Sequence, residues 1–240
     1  MTSANLQRAM LLHCKPYREN SFIGDFLCEQ SGRVSVFFRK SKKGASLSLF
    51  NLYLVSLKQG QNELFFVNSY ELEQSFDNLH GHVLYSGLYV NELISHLLPK
   101  VEFEQSLFEL YRLTMENLAE IQQQSPEQAA ISLPLLLRNF ELSLIDELGL
   151  MPSFLHTADE HTKIAVDQSY YFVVGCGWQS SPSLQTPIVC KGELIEKIAR
   201  RDFANKADLA QVKQLMRYWL DQLLGHKKLK SRALFIQPRK

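Results

Sequence analysis

The sequence predicts an α+β protein, a small N-terminal β-barrel followed by an all-α domain that an irregular module interrupts. Three observations carry this. Residues 7–70 hold short runs of β-branched and aromatic residues separated by turn residues. From about residue 80 the apolar residues recur every three or four positions, the helical period. Between Met151 and Cys190 neither pattern lasts beyond the short β run Tyr170–Val174 and a Pro/Ser segment.

The strands come first. Phe22–Cys28 is separated from Arg33–Arg39 by Ser31-Gly32, and Arg33–Arg39 puts Val34, Val36 and Phe38 on one face. Leu52–Leu57 and Leu64–Val67 follow, with Gly60-Gln61-Asn62 as a hairpin turn. About five strands in so short a stretch, with an irregular basic loop between the third and fourth, fit a closed barrel of the OB type. An SH3-like barrel is the nearest competitor.

The helix expected over Val83–Leu98 organises the rest. Tyr85, Tyr89, Leu93, Leu97, Val90 and Ile94 lie along one half, and Leu84, Leu88 and Leu98 occupy much of the other. Polar side chains are confined to a sector around Asn91, Glu92, Ser95 and His96. A helix this apolar must be enclosed, so it reads as the centre of the helical domain, ended by Pro99 and entered directly from the barrel. Phe103–Gln122 is a second helix (Leu107, Leu110, Tyr111, Thr114, Leu118, Ile121), and Gln122–Pro126 reads as a mobile break. Ser132 is placed as the cap of a third helix with Pro134 in its first turn. Leu133, Leu136, Leu137, Phe140, Leu144 and Leu148 form its stripe, and Gly149 ends it. Lys206–Leu224 turns Leu209, Val212, Met216, Trp219, Leu220 and Leu223 to one side, Lys213 and Arg217 to the other. The expected division is a barrel over 1–80, helical segments over 81–150 and 191–240, and an inserted module over 151–190.

Lys and Arg number 26 against 25 Asp and Glu, but the charge is unevenly placed. Residues 39–48 hold Arg39, Lys40, Lys42 and Lys43, and residues 226–240 hold Lys227, Lys228, Lys230, Arg232, Arg239 and Lys240, with no acid in either stretch. Setting those ten aside leaves 16 basic residues against 25 acidic ones, a body near −9. Two basic patches on an acidic body point to a polyanion-binding face; a solvated loop and a frayed tail are the plain alternative. The four cysteines are too scattered for a disulfide framework, no run reaches the length of a membrane span, and Met1–Asn5 opens no signal peptide, so a reducing cytoplasm is the expected compartment. Phosphate-loop, nucleophile-elbow, metalloprotease and dinucleotide motifs are all missing, which speaks against an enzyme. A metal-dependent nuclease and a protein-interaction scaffold without DNA binding stand as alternatives.

Four strings in the same order resemble the RecO family of bacterial recombination mediators: Ser31-Gly32-Arg33-Val34 before the basic loop, Tyr85-Ser86-Gly87-Leu88-Tyr89-Val90-Asn91-Glu92-Leu93, Leu137-Arg138-Asn139-Phe140-Glu141-Leu142, and Leu229-Lys230-Ser231-Arg232 after Gly225. The resemblance covers nearly the whole chain. It implies an OB-fold, a helical domain, binding of single- and double-stranded DNA, annealing of complementary strands, and no covalent chemistry. It also implies partners: the acidic C-terminal tail of single-stranded DNA-binding protein, RecR, and through them RecA.

The family's zinc module is where the sequence departs. Its two Cys-x-x-Cys pairs do not occur; His156, His161, Cys176 and Cys190 fall in the interval without the close spacing of a structural zinc site. No metal or other cofactor is expected, and the module should pack through Tyr170, Phe172 and Trp178. Candidate DNA contacts are Arg33, Arg39, Lys40, Lys42 and Lys43 on the barrel, extended by Lys227, Lys228, Lys230 and Arg232 near the end. Phe37 and Tyr53 are either base-stacking platforms or barrel core. Arg138, flanked by apolar Leu137 and Phe140, matches the segment that implies the tail-peptide site, where a carboxylate needs a cation beside an apolar pocket. A solvated or helix-supporting arginine is the alternative.

Overall fold

A computed structural model describes residues 6–40, 46–60, 63–76, 78–99, 105–182 and 188–236. The chain forms two compact units, Met1–Ser125 with Lys228–Lys240, and Pro126–Lys227. Both long helices that follow the barrel in sequence, together with the C-terminal segment, therefore belong to the barrel's unit.

Alternating burial builds the barrel. Strands β1 (Leu6–Arg18), β2 (Ser21–Cys28), β3 (Gly32–Arg39), β4 (Asn51–Gln59) and β5 (Leu64–Ser75) close in the order β1-β2-β3-β5-β4, with only β3 and β5 parallel. This is the OB arrangement. Val34, Val36 and Phe38 point inward from β3, as their period requires, and meet Leu11, Phe26 and Val55. Closure needs one strand long enough to pair on both sides. At 13 residues, β1 pairs with β4 through its first half and with β2 along its length. It does so with register shifts between Leu11 and His13 and between Pro16 and Arg18, so Leu12 and Tyr17 are extra residues at bulges.

Helix α1 (Gly81–Leu97) is enclosed: no residue from Val83 to Leu98 is exposed. The expectation of a polar sector fails at Asn91, which is 3 % exposed. Its Nδ2 donates to the carbonyl of Leu12, freed by the β1 bulge (2.8 Å), and its Oδ1 accepts from the Tyr111 hydroxyl of α2 (Gln105–Gln122, 2.7 Å). One amide thereby joins β1, α1 and α2, and satisfying both ends is what makes its burial tolerable. Gly87 serves closeness instead, since a Cβ there would lie 2.8 Å from the Phe50 ring. The C-terminal segment, described as far as Ile236, is docked on α1. Glu92 accepts from the amides of Lys230 (2.8 Å) and Ser231 (2.9 Å) and from Ser231 Oγ (2.6 Å), capping the short helix α6 (Ser231–Leu234), and Phe235 stacks on His82.

In the second unit, α3 runs from Pro126 to Glu147, which corrects the expected start at Ser132. Pro126 takes the first helical position, where its missing N–H does no harm, and Pro134 lies in the interior at the loss of one backbone hydrogen bond. The break expected at Gln122–Pro126 is a short connection, with Gln123–Ser125 between the helices. The far end of α3 follows expectation: Gly149 adopts φ +67, its N–H bonds the Asp146 carbonyl, and Leu150 N–H bonds that of Ile145. A three-stranded sheet follows, β6 (Ser169–Val173) between β7 (Gly177–Gln179) and β8 (Val189–Lys191). Helices α4 (Gly192–Ala199) and α5 (Lys206–Leu224) complete the unit. Asn205 caps α5 by accepting from Asp208 N–H at 2.9 Å. Of the apolar face expected on α5, Val212, Met216, Trp219 and Leu220 are buried, joined by Leu215 and Leu224, while Leu209 and Leu223 are half-buried.

Candidate nucleic-acid interface

Residues directly opposite on paired strands share a face of the sheet. On the outside of the barrel one such row runs Lys15–Ile23–Phe37–Phe66–Lys58, across β1, β2, β3, β5 and β4. Lys15, Phe66 and Lys58 are exposed and Ile23 and Phe37 half-buried. The bulge at Tyr17 turns its ring onto the same face. Tyr17 and Phe37 have centroids 6.2 Å apart, Phe37 and Phe66 5.5 Å, so three rings form a continuous strip with a lysine at each end of the row.

Arg39 and Lys40 stand at one end of this face. Arg39 pairs across to Ser21, which pairs to Arg18, and the Lys40 amide donates to the Asn20 carbonyl at 3.0 Å, fixing where the chain leaves β3. A cleft of about 780 Å³ opens beside them where β3 and β5 part, lined by Phe37, Arg39, Lys40, Phe66, Asn68 and Tyr70 among others. Lys42 and Lys43 lie outside the described residues.

Other expected contacts are placed differently. Arg33 is committed to the fold: its Nη2 donates to Asp25 at 2.8 Å and its Nη1 to the Leu98 carbonyl at 2.7 Å, while Ser35 Oγ donates to the other Asp25 oxygen at 2.8 Å. With its charge matched by Asp25, Arg33 ties β3 to β2 and to the end of α1. Tyr53 is 2 % exposed in the barrel core, its hydroxyl accepting from Ser48 N–H and Asn51 Nδ2, so of the two candidate platforms only Phe37 reaches the surface. Lys228 and Lys230 are exposed and Arg232 half-buried in the docked segment of the first unit; Lys227 is the exposed last residue of the second. Leu137, Arg138 and Phe140 are all buried, and the Arg138 guanidinium pairs with Glu141, itself fully buried one turn on.

The zinc implied by the resemblance does not fit these residues. His156, His161 and Cys176 line a cavity of about 640 Å³ together with Trp178, but among the described residues no three His, Cys, Asp or Glu side chains converge on a point that could hold a metal. Cys190 sits elsewhere, opposite Tyr170 in the sheet and 2 % exposed, where burial pushes its thiol up to about 12; a zinc ligand has to be a thiolate. The module packs through rings on its other side, with Phe172 4.9 Å from Trp178 and 4.6 Å from Trp219.

Comparison with known proteins agrees with this architecture. The model of the recombination protein O N-terminal domain matches residues 1–76, and that of the recombination protein O C-terminal domain matches residues 80–233. The chain belongs to the RecO family. It is 33 % identical to the DNA repair protein RecO of Cellvibrio japonicus over 238 residues, covering 96 % of each chain. It is 35 % identical to that of Pectobacterium atrosepticum over 236 residues (96 % of this chain, 92 % of the relative) and 36 % to that of Pseudomonas entomophila over 230 (95 % and 96 %).

Within this RecO-family chain, Lys15, Tyr17, Ile23, Lys58 and Phe66 are the residues that sequence reasoning passed over. Phe66 had a usable signal, an aromatic next to the inward Phe65 in a run of alternating burial. The row itself depends on the parallel pairing of β3 with β5, which no local pattern encodes.

Proposed function

We propose that the chain is a DNA-binding recombination mediator that acts in DNA repair. It binds single- and double-stranded DNA through the outer face of the barrel and anneals complementary strands. With RecR it helps to load RecA on DNA coated by single-stranded DNA-binding protein. The reading is supported above all by the lysine-flanked aromatic row beside Arg39 and Lys40, because cations that neutralise phosphates bind without sequence preference and annealing of arbitrary strands requires that property. Family membership supports it independently. The chain acts by binding rather than by covalent chemistry.

The tail of single-stranded DNA-binding protein is proposed to engage the segment around Leu137, Arg138 and Phe140. There Glu141 already occupies the guanidinium, leaving Arg138 Nε as a buried donor without an acceptor, so an incoming carboxylate has to compete for the side chain. Lys228, Lys230 and Arg232 are offered as a secondary basic patch.

The deciding experiment is annealing of labelled complementary strands coated with the cognate single-stranded DNA-binding protein, followed on native and denaturing gels with Mg²⁺ present. Intact strands converted to duplex are expected. Shortened strands would indicate a nuclease, and no binding to DNA even at low salt would leave a protein-binding scaffold.

A further inference from the structure

The strip Tyr17–Phe37–Phe66 places three aromatic rings side by side on the outside of a barrel whose interior is already filled by other apolar side chains. Tyr17 is 53 % and Phe66 40 % exposed. Outward positions on a half-buried sheet ordinarily carry polar side chains. Here a lysine stands at either end of the row and Arg39 beside it, and Asp25 on β2 is already engaged by Arg33 and Ser35. A surface that is aromatic along its length and cationic at its margins complements a ligand with flat apolar faces and an anionic backbone.

We infer that Phe37 and Phe66, with Tyr17 beside them, form a stacking platform for unpaired nucleobases, one base to a ring, with Lys15 and Lys58 on the flanking phosphates. This rests on the DNA-binding reading above and deepens it. Duplex DNA stacks its own bases and offers no free face, so the platform accepts only single strands or frayed ends. Stacking occupies the face of a base and leaves its pairing edge open. A strand held in this way is therefore splayed and charge-neutralised yet still able to pair with its complement.

The test measures affinity by fluorescence anisotropy for three probes of about 16 nucleotides, the upper end of a barrel's footprint: oligothymidylate, an abasic strand of the same length, and a duplex. Phe66→Leu keeps apolar bulk at a partly exposed site, with a thermal melt to verify folding. It is expected to weaken oligothymidylate binding about tenfold and to change abasic and duplex binding less than about twofold, with the salt slope unaltered. Phe66→Tyr keeps the ring and should bind as wild type. A Phe66→Leu protein with the wild-type ratio of oligothymidylate to abasic affinity overturns the platform. The pair Lys15→Ala with Lys58→Ala separates the two levels of the argument. A shallower salt slope in that pair, with no effect at Phe66, removes only the platform; a wild-type slope for all three probes removes the barrel face as the DNA site altogether.

Discussion

Two clusters of three aromatic rings, one in each unit, differ in their exposure. Phe172, Trp178 and Trp219 in the second unit are each 2 % exposed or less, whereas Tyr17, Phe37 and Phe66 on the barrel lie on its surface. In the first cluster ring packing fixes β6 and β7 to α5. The second is attached to a barrel that closes without it. Identical chemistry thus stabilises a fold in one place and is left open to a ligand in the other. The basic residues divide in the same way: Arg33 and Arg138 are consumed by Asp25 and Glu141, while Arg39 and Lys40 are free of such commitments among the described contacts.

Truncating the buried cluster breaks this comparison most severely. Phe172→Ala removes a ring in contact with two tryptophans and should lower unfolding free energy by about 3–5 kcal/mol, against less than about 1 kcal/mol for Phe66→Ala. Denaturant titration followed by far-ultraviolet circular dichroism reads both, and a chelator should leave the wild-type curve unmoved. A chelator-induced shift accompanied by about one zinc per chain would show that the module holds a metal.

Arg138→Ala comes next. It removes the ion-pair partner of the fully buried Glu141 carboxylate, for which a loss of about 3 kcal/mol is expected, whereas Arg138→Ala with Glu141→Leu should recover most of it. Naked-DNA binding should be unaffected in both. Calorimetry with the tail peptide of single-stranded DNA-binding protein then asks whether the folded double variant has lost peptide affinity. Unchanged affinity would move the tail site away from Arg138.

How much was legible in the sequence follows the same line between local and non-local. The helix over Lys206–Leu224, the Gly149 stop, the inward face of β3 and the buried Tyr170 and Phe172 of β6 all follow from patterns within one element. Asn91 was misplaced because an amide in a polar sector looks solvated until the Leu12 carbonyl and Tyr111 hydroxyl, distant in sequence, are brought to it. Arg33 and Arg138 look like free cations for the same reason. α3 starts earlier than a cap at Ser132 implies because Pro126, read as part of the break, takes the first helical position and Pro134 is tolerated in the interior.

A smaller effect is expected at the C-terminal segment. Burial alone would raise the Glu92 pKa, but hydrogen bonds from Ser231 and Lys230 and the nearby His96 hold it below the ordinary 4.5. A carboxylate whose pKa is depressed by folding contributes fully above its unfolded value, and the contribution is lost as pH falls through the folded one. Between neutral pH and about 5 the segment should stay docked, and below the ordinary carboxylate range it should release. Glu92→Gln should loosen it at every pH by about 1 kcal/mol. Hydrogen exchange at the Lys230 and Ser231 amides measures this; pH-independent protection in the wild type would assign the docking to Phe235 on His82 instead.

The smallest effect on the fold is expected where the effect on DNA is largest. Arg39 and Lys40 are exposed at the end of β3, so replacing both with Ala should change stability by no more than about 0.5 kcal/mol. If each contacts a phosphate, the line of log K against log salt should become shallower by about 0.7 per contact on single strands, equally for unrelated sequences. Annealing of naked strands should slow with it, because the same cations screen the repulsion between two approaching backbones. Tail-peptide affinity should not move, since Leu137, Arg138 and Phe140 lie in the other unit. This variant also divides the basic loop. If it retains the wild-type slope while Lys42→Ala with Lys43→Ala does not, the phosphates run beyond the end of β3. If neither pair matters, the cationic contribution has to come from Lys15 and Lys58 of the row itself or from Lys228, Lys230 and Arg232, and the salt slope of the Lys15→Ala with Lys58→Ala pair tells the two apart.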